Sequence, residues 1–157
     1  MTELPIPDRP EMPASYGVGD PRYGFEPIEW SWVEQRLTEA RSYWVATTRA
    51  NGSPHSVPVW GLWTDGAFHF FTDPESLKAR TIARDPRAVV HLESGDDVVI
   101  LEGTLEPCRP TREVIEAYKS KYGVSLGDDP GGMYRLRRTK ALAWRESDFP
   151  RSATRWA

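Results

Sequence analysis

Two stretches of the sequence carry side chains whose types and spacing could do chemistry. In Asp73-Pro-Glu-Ser-Leu-Lys-Ala-Arg80, Ser76, Lys78 and Arg80 follow an expected strand end at Thr72 and enter the first turns of a helix. The positive end of a helix dipole disfavours cations. Their presence there points to an anion, a phosphate above all, held by them and by free helix N–H groups. The plainer reading is a solvated helix with Lys and Arg on its outer face. The second stretch is Gly52-Ser-Pro-His-Ser-Val-Pro-Val-Trp-Gly-Leu-Trp63. Pro54 and Pro58 remove donors from one strand edge, leaving carbonyls and the intervening N–H groups to meet a planar heterocycle. Its plainer alternative is a bulged barrel strand with Trp60 and Trp63 in the core.

Other chemistries find little support. His55, His69 and His91 stand without a Gly-x-Ser-x-Gly elbow, so no nucleophilic triad is expected and no catalytic side chain is assigned. The histidines lack ligand-spaced partners, and the single Cys108 makes neither an internal disulfide nor a Cys-based zinc site, so no metal is expected. Asp96-Asp97 and Asp128-Asp129 read as turn residues.

The elements that must position these residues follow from the pattern. Residues 1–27 hold six prolines and read as an extended arm, one that a partner subunit would accept. Ser31 and Glu34 have capping-box spacing, and Trp30, Val33, Leu37 and Ala40 then mark an amphipathic helix over 31–41. From Tyr43 the period becomes β. Strands are expected over 43–49, 55–63 and 67–72, with turns at Asn51-Gly52 and Asp65-Gly66. Asp73 and Pro74 should open a short helix that ends at Asp85-Pro86. Strands 88–94 and 98–106 follow, then a helix from Thr111 to Tyr122 closed by Gly123, and a last strand over 133–146. Six strands at hairpin spacing argue for a mainly β fold, a small antiparallel barrel with flanking helices over 28–146 and a basic tail at 147–157.

The chain has 157 residues, enough for one domain with a real core. No apolar run is long enough for a membrane helix, and the N-terminus lacks the marks of a signal peptide, so a cytoplasmic protein is expected, without a membrane partner. The formal charge is −3, which argues against nucleic acid. Charge is unevenly spread, however: seven basic residues against two acids give 133–157 a net +5, leaving −8 for the remainder. Seven tryptophans suggest flat surfaces that a ligand or a partner subunit covers.

Taken in order, Tyr43-Trp-Val-Ala-Thr-Thr, Gly52-x-Pro-His55, Pro58-Val-Trp, Asp65-Gly66, Ser76-x-Lys78-x-Arg80, Asp85-Pro86-Arg87 and Val98-Val-x-x-Glu102-Gly103 resemble the pyridoxamine 5′-phosphate oxidase-like split β-barrels, in particular their flavin/deazaflavin oxidoreductases. The resemblance implies a homodimer with two cofactor sites at the subunit interface. It places the cofactor phosphate at Thr72, Ser76, Lys78, Ala79 and Arg80, and the ring along His55 and Val57, Pro58, Val59 and Trp60. It departs from the pattern at Thr81, where an asparagine is usual. The implied activity is hydride transfer between bound coenzyme F420 or FMN and a small conjugated or heterocyclic substrate, and not vitamin B6 oxidation. The alternative is a non-catalytic binding protein on the same barrel. Trp63, Arg155 and Trp156 would join Trp60 around the substrate. F420 is favoured over FMN because its anionic tail needs a basic groove, which the C-terminal segment would supply.

Overall fold

The computed structural model describes residues 3–127 and 130–157, so the expected Asp128-Asp129 turn lies outside the described residues. Nine strands form one antiparallel sheet, with a few helices against it. One hairpin is β2 (Tyr43–Thr48) with β3 (Pro54–Val59), at one end of the sheet, and β4 (Gly61–Thr64) with β5 (Ala67–Phe71) makes a second. Then come β6 (Arg87–His91), β7 (Asp97–Pro107) and β8 (Met133–Arg145). Two short terminal strands complete the sheet, β1 (Pro7–Asp8) and β9 (Thr154–Trp156). The order is β1-β9-β8-β7-β6-β2-β3, and β5 joins the opposite end of β8 and carries β4.

Six strands were expected and nine are found, for two physical reasons. The expected strand over 55–63 breaks at Trp60, because Gly61 lies against Phe68 and the His69 carbonyl where any Cβ would collide. After that break β4 leaves β2 and pairs with β5. The other two additions are the terminal strands, which pair with each other, Pro7 opposite Trp156 and Asp8 opposite Arg155. Among the described residues the sheet does not close: β3 pairs only with β2, so no described strand covers its far edge.

Helix α1 (Trp30–Glu39) buries Trp30, Val33 and Leu37, the face expected from their spacing. The capping box does not form. Glu29 takes the extended N-cap position and Ser31 lies inside the helix, where its hydroxyl cannot cap. Helix α2 (Leu77–Arg84) begins at Ser76, not at Asp73-Pro74, for the Ser76 Oγ accepts the Ala79 N–H at 3.1 Å. Asp73 instead closes the preceding turn, its Oδ1 accepting from Glu75 N at 2.8 Å. Helix α3 (Arg112–Tyr122) is capped by Thr111 and ends at Gly123 with φ 70°, as the sequence predicts.

The last eleven residues are not a projecting tail. After α4 (Phe149–Ser152), residues Ser152, Ala153, Thr154 and Trp156 are all buried. Thr154 Oγ1 accepts the Ile28 N–H at 2.8 Å, and Arg151 Nε donates to the Tyr23 carbonyl at 2.7 Å. Arm and tail clasp each other over the main core, which collects α1, the inner faces of β2, β6, β7 and β8, and Trp156. A second, smaller cluster beneath α3 gathers Leu62, Val114, Tyr118, Tyr122 and Met133. No helix among the described residues is long and apolar enough to cross a membrane.

Candidate functional site

The corner where β5 hands over to α2 is built from its hydroxyls. Thr72 ends the third run of the meander, held by its N–H to the Gly132 carbonyl at 2.9 Å. Gly132 sits at φ 78°, pressed so closely on the Thr72 carbonyl that no Cβ fits. Thr72 Oγ1 and Ser76 Oγ are 3.0 Å apart, and Ser76 Oγ also accepts the Ala79 N–H. Whichever hydroxyl donates to the other, one hydroxyl proton remains unspent. Among the described residues the Leu77 and Lys78 N–H groups have no acceptor, as expected of a first helical turn. The corner therefore offers a hydroxyl proton and two backbone donors, and half-buried Lys78 stands in the same first turn of α2.

Ala79 is buried, so only its N–H takes part, already committed to Ser76. Lys78 and Arg80 are two residues apart on a helix and point about 200° apart around its axis. Arg80 faces away from the core, into a cleft of about 470 Å³ lined by Arg49, Ala50, Asn51, Leu77, Thr81 and Arg84. Both predicted cations flank the corner, but from different sides.

The free edge of β3 has a definite chemistry. Arg49 N donates to Ser53 O at 2.9 Å, and antiparallel pairing alternates from there. His55, Val57 and Val59 exchange hydrogen bonds with Thr47, Val45 and Tyr43, whereas Pro54, Ser56 and Pro58 turn their backbone groups outward. Proline fits there because no N–H is required. The outward donor is thus the N–H of Ser56, which the sequence pattern did not single out. It is flanked by the Pro58 carbonyl and by the Pro54 carbonyl, which accepts from Arg49 at 3.1 Å. On the inner side, His55 Nδ1 and its cross-strand neighbour Thr47 Oγ1 are both buried without a partner.

The ends of β3 and β5 meet beneath α3. Trp60, 39% exposed, stacks on Tyr122 with ring centroids 4.6 Å apart and planes 4° apart. Tyr118 touches both Trp60 and Phe71, the residue before Thr72. The break at Trp60-Gly61 is pinned from α3. Tyr122 Oη accepts the Gly61 N–H at 2.9 Å, and its proton is within reach of the Gly61 and Arg41 carbonyls at 2.8 and 2.9 Å. Lys121 Nζ donates to the Gly61 carbonyl at 3.0 Å and to Tyr43 Oη at 2.9 Å. Desolvation, and next to it the charge of Arg41, lowers the Lys121 pKa to about 8. These α3 residues were not foreseen; only the Tyr118/Tyr122 spacing hinted at them.

The expected substrate wall does not assemble. Trp156 is 1% exposed, edge-on to Trp30 at 5.2 Å in the core, because α4 turns β9 back onto β8. Trp63 packs on the other side of Trp30 at 6.4 Å. Arg155 lies half-buried opposite Leu142 on β8. Trp63 and Trp156 therefore face Trp30 and not Trp60. The histidines are likewise dispersed: His69 Nδ1 lies 3.2 Å from the Ala67 carbonyl, and His91 Nδ1 lies 2.7 Å from the Leu92 carbonyl with its ring stacked on Trp44.

Residues 32–145 match the sequence model of the pyridoxamine 5′-phosphate oxidase family. No curated protein matches the chain. Solved structures do resemble it. A conserved hypothetical protein from Mycobacterium tuberculosis aligns at TM-score 0.67 and 22% identity, over 78% of this chain and 88% of that one. An F420 reductase aligns at TM-score 0.56 and 20% identity, over 69% and 94%. A heme binding protein from Mycobacterium smegmatis aligns at TM-score 0.54 and 19% identity, over 70% and 52%. At these identities the likeness is one of fold.

Proposed function

The chain belongs to the pyridoxamine 5′-phosphate oxidase family of split β-barrels, and we propose that it is an oxidoreductase built around a phosphate-bearing flavin or deazaflavin, FMN or coenzyme F420. The observation that carries this reading is the donor set at the β5–α2 corner. Among the described residues, a hydroxyl proton shared out between Thr72 and Ser76, the Leu77 and Lys78 N–H groups and the Lys78 ammonium all lack acceptors. A dianionic phosphate supplies the acceptors such a set requires. Arg80 adds charge from the next turn.

The ring of such a coenzyme would lie along the outward edge of β3, with the Ser56 N–H donating and the Pro58 carbonyl accepting. Val57 and Val59 hold that edge in register from the inner side, and Trp60, fixed on Tyr122, offers a flat apolar surface beside it. When bound, a flavin or deazaflavin supplies hydride transfer itself, so the protein's part is binding, orientation and exclusion of water. That accords with histidines held apart from one another.

A second copy of the chain completes the reading. On the outward face, Pro58, Trp44, His91, Ile100, Leu142 and Arg155 form one directly paired row across β3, β2, β6, β7, β8 and β9. A largely apolar row, exposed at Pro58 and half-buried from Trp44 to Arg155, suits a homodimer interface beside the β3 edge. Ile100→Glu should shift the protein to monomer in sedimentation and weaken the coenzyme with it.

Titration of the purified protein with FMN and with F420, read by fluorescence, tests the assignment, with haem as a third ligand. Submicromolar binding of one flavin-type ligand is expected, with turnover of the reduced coenzyme by a conjugated acceptor. Tight binding with no turnover over a broad acceptor panel would identify a carrier instead. Failure to bind either ligand would overturn the proposal.

A further inference from the structure

The cleft beside α2 has an unusual charge. Leu77, Arg80, Thr81 and Arg84 recur at helical spacing on one stripe of α2, facing Arg49, Ala50 and Asn51 in the β2–β3 turn across about 470 Å³. Among the described residues three guanidinium groups line it and no carboxylate does. Among the described residues, none of Arg49, Arg80 and Arg84 has a salt-bridge partner. This happens in a chain with three more acidic than basic residues.

Two of these arginines are oriented through one nitrogen of the fork. Arg84 Nη2 donates to the Thr48 carbonyl, and Arg49 Nη1 donates to the Pro54 carbonyl at 3.1 Å and reaches Ser53 Oγ at 3.4 Å. A guanidinium carries five donors, so each is held by one side of its fork while the rest stays available. Like charges gathered around one cleft repel one another, and a bound polyanion relieves that repulsion. Leu77, 48% exposed at the mouth, gives the cleft an apolar shoulder next to Ser76.

We infer that the Arg49–Arg80–Arg84 cleft is a second anion-binding subsite, for a chain of carboxylates or phosphates continuing from the ligand held at Thr72, Ser76 and Lys78. The inference rests on the proposed coenzyme site for its direction, since Leu77 at the mouth of the cleft follows Ser76 directly in the chain. It moves the basic groove from the C-terminal segment, where the sequence analysis placed it, to α2.

The test compares F420 carrying its oligoglutamate tail with the same deazaflavin phosphate lacking glutamates, on wild type and on the double variant Arg49→Gln/Arg84→Gln. Neither of these arginines belongs to the phosphate corner. At least a tenfold loss for the tailed ligand is expected, with a flatter salt dependence and with the glutamate-free form unchanged within twofold. Arg49→Lys/Arg84→Lys should recover part of the loss and guards against a folding defect in the first variant. Unchanged affinity for the tailed form, or equal losses for both forms, overturns the subsite while leaving the coenzyme site standing. If wild type binds neither form, the coenzyme proposal fails, and titration with inorganic tripolyphosphate then decides the cleft. Shifts of the Arg49, Arg80 and Arg84 Nε–H resonances support it as a site for an independent polyanion, and their absence rejects it.

Discussion

The two basic regions of the molecule differ in what their charges touch. In the C-terminal segment, Arg137 pairs with Glu106 at 2.8 Å, Lys140 with Glu102 at 2.9 Å and Arg145 with Asp148 at 3.5 Å. Arg138 lies over the Trp30 ring at 4.8 Å and Arg151 binds the Tyr23 carbonyl. Around α2, by contrast, Lys78, Arg80, Arg84 and Arg49 find no carboxylate among the described residues. A segment's net charge of +5 therefore says little about where an anion binds. Cross-strand pairing spends charge on the fold, and only unspent charge recognises a ligand.

The contrast can be broken by substitution. The largest expected effect is on binding: Ser76→Ala/Lys78→Ala should cost a phosphate-bearing ligand about 2 kcal/mol or more, roughly thirtyfold in affinity. Loss of the helix cap should lower stability by about 1 kcal/mol in the same variant. Next, Arg138→Ala should leave ligand affinity alone and cost about 1 kcal/mol in urea denaturation, since a cation over a ring and its buried stem are lost. An equal effect on affinity would mean that the C-terminal cations are not structural.

Acid sharpens the comparison from the C-terminal side. His69 is buried on β5 opposite Arg135, and desolvation lowers its pKa below the ordinary 6.5, with Arg135 adding to the effect. The unfolded chain thus binds the proton more readily. Stability is full above pH 6.5 and falls as pH drops below it. The melting temperature should fall through this window, and His69→Asn should flatten that part of the profile. Smallest of all, Arg137→Gln removes an exposed pair worth about 0.5 kcal/mol. Its melting temperature should move little and, like the pair itself, respond to salt.

Legibility varied with the range of the interaction. The hairpin turns, the α3 caps and the strand-to-helix corner at 72–80 were readable because glycine, proline and capping hydroxyls act over a few residues. The sequence pattern places Ser76 among the residues expected at a phosphate and gives its role as the cap of α2 to Asp73. Both residues suit a cap, and only the turn held by Asp73 Oδ1 decides between them. Trp156 was misplaced because burial depends on the chain reversing through α4 to lie on Trp30. Tyr122 and Lys121 were missed because they reach Gly61 across 60 residues of sequence.

By itself the sequence determined the antiparallel strand series, the strand-to-helix corner at 72–80 and the family, since each rests on residue types at short, fixed spacing. Only the tertiary structure decided which cations are free, which edge of β3 faces outward and which tryptophans are core. Those properties depend on register and on partners far away in the chain, and a residue's charge or ring is the same whether or not something already satisfies it.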